Sequence, residues 1–177
     1  MKPLSPLAAF AIAAASLALS LQATAAPVTF GTTLSGANES PPNASTAFGA
    51  AQVTLDDALF SVQVHVDFSG LAASAGAGHI HCCTAVPGTG NVAVFLGFTG
   101  FPAATSGTYD HVFTLSSANF ATLLTGIEQG RAYVNIHDAP SFGAGEIRGF
   151  LVPEPGTLTL ALGALAFIGA TTKRRGA

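Results

Sequence analysis

Five apolar residues, Phe60, Val62, Val64, Val66 and Phe68, alternate without a break with Ser61, Gln63, His65 and Asp67. Successive side chains of a strand point to opposite faces, so this period of two predicts a β-strand with one face in a core. His65 then falls on the other face, with the polar set. The apolar face of such a strand is buried only by partner strands, and short runs between Pro27 and Val152 supply them. Val28 to Ser35, Phe48 to Leu55, Val92 to Leu96, Tyr109 to Leu115, Tyr133 to His137 and Glu146 to Val152 read as strands, as does His79-Ile80-His81. Turn and loop residues separate them, among them Asn38 to Asn43, Ser69-Gly70 and Pro87-Gly88-Thr89-Gly90. Ala72 to Gly78 and Gly97 to Gly107 read as loops. Ser116 or Ser117 can cap a short helix over Ala118 to Leu124, the one convincing helix of the region. The prediction is an all-β fold, an antiparallel Greek-key sandwich or barrel of about seven or eight strands with one short helix. Spacing does not choose between the two architectures.

The ends of the chain differ from this middle. Met1 and Lys2 precede an apolar run from Leu7 to Leu21, and Ala23-Thr24-Ala25 follows with small residues. Charge, apolar core and A-x-A site in that order read as a secretory signal peptide over residues 1–25, cut after Ala25 by signal peptidase. At the other end Pro153, Glu154 and Pro155 break the last strand. Thr157 to Thr172 carries no charge and Lys173-Arg174-Arg175 closes it. This order predicts a short apolar helix stopped in the membrane with its cationic end in the cytoplasm. The domain proper is residues 26–152, and residues 153–177 are a separate C-terminal segment.

The two ends also explain a composition of 49% hydrophobic and only 8% charged residues. Between Pro27 and Val152 two basic residues, Arg131 and Arg148, face eight acidic ones, a net charge of −6 against −3 for the whole chain. That balance excludes nucleic acid as a partner, because phosphate backbones are bound through clustered Lys and Arg. No G-x-S-x-G, phosphate loop or H-E-x-x-H is present, so the expectation is a protein that is not an enzyme.

The chemistry-bearing residues concentrate in two patches. Gly78-His79-Ile80-His81-Cys82-Cys83 holds both cysteines and two of the five histidines, and Tyr133 to Asp138 holds His137. Positions two apart on a strand share a face, so His79 and His81 point one way. If their strands adjoin, His137 joins them, with His65 as a further candidate, and the set suits copper or zinc. Otherwise His79 and His81 bond to loop backbone while His137 pairs with Glu146 or Asp138, and no cofactor is bound. Arg148 is expected in a salt link to an acid such as Glu39, the bidentate pairing for which arginine is suited. Cys82 and Cys83 are open to a vicinal disulfide, to thiolate ligation beside the histidines, or to a bridge between chains, and export permits the oxidised forms.

Two resemblances follow from these residues. Pro153-Glu154-Pro155, the apolar run and Lys173-Arg174-Arg175 resemble the PEP-CTERM sorting signal of Gram-negative bacteria. That resemblance implies an exosortase as partner, a transient anchor in the inner membrane, and a product at the cell surface or outside the cell, in a cell that usually makes exopolysaccharide. Leu34 to Pro42, Gly78-His79-Ile80-His81, Tyr133 to His137 and Gly145-Glu146-Ile147-Arg148-Gly149 together resemble the CHRD domain, the module repeated in chordin. Cys82-Cys83 departs from it, since small residues are commoner there. The resemblance implies an extracellular binding or adhesion domain, with exopolysaccharide or surface proteins as candidate partners.

Overall fold

Val62, Val64 and Val66 are wholly buried and Phe68 nearly so, each contributing ~1.5–3 kcal/mol through removal of apolar surface from water. Around them the computed structural model describes residues 26–83, 94–138 and 140–154. The strands are β1 (Val28–Ser35), β2 (Phe48–Asp56), β3 (Ser61–Ser69), β4 (Ala75–Cys82), β5 (Val94–Gly97), β6 (Gly107–Thr114), β7 (Ala132–Asp138), β8 (Phe142–Phe150) and β9 (Val152–Pro153), with helix α1 (Ser117–Glu128) between β6 and β7. The antiparallel all-β expectation holds. The strands form one curled sheet in the order β5-β4-β7-β8-β1-β2-β3-β6, with β9 also beside β1. β8, joined to β7 by a short hairpin turn, lies on the flank of β1, so the last hairpin of the sheet closes onto its first strand.

The core lies on one face of this sheet. Phe30, Leu34, Val53, Leu55, Ile80, Ile136 and Ile147 fill it, and α1 adds Phe120, Leu123 and Ile127. Ser116 caps α1 by accepting from the Asn119 N–H at 3.3 Å. The helix runs four residues beyond Leu124 because Ile127 reaches the core, and Gly126 is needed for close approach. A Cβ on Gly126 would lie 2.5 Å from the Cys83 sulfur.

Three boundaries differ from the sequence reading. Phe60 is not in the β3 alternation. It has φ +49, is 40% exposed, and meets the Phe120 ring edge at 5.8 Å from the turn before β3. The supposed loop of small residues is the first half of β4, with Ala77 opposite His137 and Gly78 opposite Ile136. Gly78 carries no side chain because Phe98 and Phe101 pack there, and a Cβ on it would lie 2.6 Å from the Phe98 ring. β8 begins at Phe142, four residues before Glu146. The turn at residues 87–90, the signal peptide over residues 1–25 and the apolar C-terminal helix lie outside the described residues. Among those residues no helix is long and apolar enough to cross a membrane.

β7 decides where polar chemistry sits. Ala132, Tyr133, Val134, Asn135 and Ile136 are all buried, so both faces of this strand are covered. Val134 and Ile136 face the core. The opposite face lies beneath the segment after β1, a 3-10 turn at Gly36–Asn38 followed by Glu39. Asn43 ties that segment down, donating through Nδ2 to the Glu146 carbonyl at 3.0 Å.

Candidate metal centre

Strand register brings the three candidate histidines together. On the face away from the core, His79 pairs with Asn135 and His81 with Tyr133 across β4 and β7, while His137 lies opposite Ala77. Alanine at 77 leaves room, and the His137 ring stands 4.8 Å from that of His79 and 6.5 Å from that of His81. One ring nitrogen from each of His79, His81 and His137 lies within 4.8 Å of the others. Tetrahedral zinc with nitrogens at ~2.0–2.1 Å holds them ~3.4 Å apart, so binding an ion requires the rings to draw closer together.

The protonation of the rings suits a cation. His137 Nδ1 lies 3.0 Å from the Gly143 carbonyl oxygen, which accepts only, so Nδ1 carries the proton and donates. Nε2 is then the lone-pair atom, and it is buried with no hydrogen-bond partner. Fixing one ring nitrogen on a carbonyl so that the other can ligate is the usual second-sphere arrangement of metal-binding histidines. Burial, reinforced by the neighbouring imidazoles, depresses His79 to about 4. His81 is depressed to about 4 by burial, then by His137 and the Arg148 charge. His137 is lowered by burial against the opposing Gly143 bond. All three rings are neutral at pH 7.

A polar shell backs this face. The His81 ring stacks on Tyr133 at 4.8 Å and 6°, and the Arg148 guanidinium sits 4.8 Å over the other partner of that stack, the Tyr133 ring. Arg148 is 1% exposed. Its Nε donates to the Asn38 carbonyl at 2.8 Å and stands 3.6 Å from Glu39 Oε2, the salt link expected from sequence. Asn135 Nδ2 donates to Glu39 Oε1 at 2.5 Å. Burial pushes the Glu39 carboxyl up to about 7 against the pull of Arg148, the Ser40 amide and Asn135. Breaking a buried pair of this kind by removing one partner costs ~3–5 kcal/mol.

Other sequence candidates lie elsewhere. His65 is on β3, with Nδ1 2.7 Å from Asp110 and Nε2 3.1 Å from Asp67. His137 pairs with neither acid proposed for it. Glu146 accepts from Ser45 Oγ at 2.6 Å and the Ala72 amide at 3.0 Å, and Asp138 accepts from the Phe142 amide at 2.6 Å. Cys82 belongs to the core beside Ile80, on the face opposite the histidines. Its sulfur is bonded to that of Cys83, and both lie against the Thr122 carbonyl of α1. Pro153 is in β9, and Glu154 lays its side chain over Gly31, where a Cβ would collide with the carboxylate. Pro155, Lys173, Arg174 and Arg175 lie outside the described residues. Sequence reasoning overlooked Asn135 and Tyr133 as parts of the site. Their place on the His137 face was readable, but the loop that covers them was not.

A family model for the CHRD domain matches residues 30–151. No curated protein and no solved structure matches the chain.

Proposed function

The chain belongs to the CHRD domain family, and from that premise we propose that it is an exported binding domain whose site takes a transition-metal ion, copper or zinc, on His79, His81 and His137. One observation carries this reading: three imidazoles converge with nitrogens within 4.8 Å of one another. A metal would hold β4 and β7 together and supply a positive centre on an otherwise acidic domain. The reading is one of binding, since no catalytic motif accompanies the site.

The route outward rests on sequence. The leader supports cleavage by signal peptidase, and Pro153-Glu154-Pro155, the apolar run and the Lys173-Arg174-Arg175 end support sorting by an exosortase after a transient stay in the inner membrane. The destination is the cell surface or the extracellular matrix, where exopolysaccharide or surface proteins are the partners to test.

Metal content decides the central claim. The protein is purified from the periplasm without a histidine tag, alongside the His79→Ala/His81→Ala variant. One equivalent of copper or zinc in the wild type, lost in the variant, is the expected result. Wild-type protein that carries no metal and gains no thermal stability on adding either ion defeats the reading, because a ligand bound only by the folded state must stabilise it.

A further inference from the structure

Resting on the metal reading above, we propose that the ion keeps one coordination position for a small exogenous anion. The ligand inventory of the chain is the first ground. Residues 1–25, 84–93, 139 and 155–177 contain no His, Cys, Asp or Glu. Every side chain of those four types is therefore among the described residues. Three of them gather in the cluster, and no fourth joins it.

The remaining candidates are committed or distant. His65 and His111 are on β3 and β6, and β8, β1 and β2 stand between β7 and β3 in the sheet. Cys82 and Cys83 are bonded to each other, with Cys82 on the core face. Glu39, the carboxylate closest in the network, is held by Asn135 and Arg148. Glu146 accepts from the Ser45 hydroxyl and the Ala72 amide. Asp138 accepts from the Phe142 amide through Oδ1 alone, its Oδ2 being buried without a hydrogen-bond partner, but it does not belong to the cluster. A site with three protein nitrogens and no fourth His, Cys, Asp or Glu leaves a position to solvent or to a ligand from outside.

Charge selects the class of that ligand. Three neutral imidazoles bring no negative charge to a divalent ion. Glu39 and the Arg148 guanidinium pair with each other and cancel. The charge of the ion itself is then left uncompensated by its ligands, and an anionic donor is favoured over a neutral one. The opening beside His79 is a groove lined by Gly76, Ala77, Gly78, Gly97 and Gly100 together with Phe98, Thr99 and Phe101.

Azide is the probe. The full-length protein is loaded with copper(II), copper is counted, and azide is titrated while absorption and electron paramagnetic resonance spectra are recorded. A new charge-transfer band that saturates at one azide per copper, with altered hyperfine splitting and copper retained, is expected. Pyridine, a neutral donor, should give a weaker response at equal concentration. Spectra unmoved by excess azide, with copper still bound, mean that the protein fills the fourth position, and the inference falls while the metal reading stands. Equal responses to azide and pyridine overturn the preference for an anion. Wild-type protein that binds no copper at all removes both claims together, so the two failures are distinguishable.

Discussion

A Cβ on Gly145 would lie 2.7 Å from Oε1 of Glu39, so the buried carboxylate occupies the space that any side chain at 145 would need. Gly145 also has φ +130, a backbone region that other residues enter only with strain. Gly145→Ala is therefore expected to destabilise the domain by ~2 kcal/mol or more. Urea unfolding should show a lower midpoint at unchanged slope. A midpoint equal to the wild type would mean that Glu39 moves aside without loss.

Glu39 should also give stability a pH dependence. Its carboxyl ordinarily titrates at 4.5 and is raised to about 7 in the fold, first by burial. A raised pKa favours the protonated folded form, so this contribution is fully present below pH 4.5 and is lost as pH rises through about 7. His79 and His81, depressed to about 4, act in the opposite sense, losing stability as pH falls from 6.5. The difference between wild type and Glu39→Gln isolates the carboxyl. The variant should gain on the wild type between pH 4.5 and 7, by roughly 3 kcal/mol at most. Parallel stability curves across that range would show that the carboxylate is not disfavoured.

His65 presents the surface counterpart. Hydrogen bonding to Asp110, then to Asp67, raises its pKa above 6.5 despite some desolvation. Its contribution is full below pH 6.5 and lost as pH rises through the raised value. The side chain is 39% exposed, so solvent screening keeps the effect below ~1 kcal/mol. Asp110→Asn should move the imidazole midpoint back toward 6.5 by NMR titration, and more than Asp67→Asn does. The reverse order would reassign the main partner.

What could be read without coordinates followed the range of the interaction. Val62, Val64 and Val66 announce a buried face because alternation is local, and Ser116 announces a cap for the same reason. The shared face of His79 and His81 follows from two-residue spacing alone. That β4 adjoins β7, which brings in His137, is a pairing over more than fifty residues with no local trace. The partner of His137 was missed because it is the backbone of Gly143, and backbone acceptors have no signature in residue type. Ala75 to Gly78 lack the β-branched residues that mark strands, and at Gly78 Phe98 and Phe101 occupy the space a side chain would need. Arg148 was tied to an acid such as Glu39 from chemistry, because a guanidinium is suited to pairing with a carboxylate.

The pairing of Val152 and Pro153 with β1 also decides how the domain bears mechanical load. β9 is two residues long, and its proline brings no N–H to the ladder. Tension applied through the chain beyond Glu154 meets this small zipper first, and then Leu151, whose side chain is wholly buried. A domain pulled from that end peels at its margin in a short step. β8, gripped between β7 and β1, stays in place behind it and keeps the three imidazoles in register.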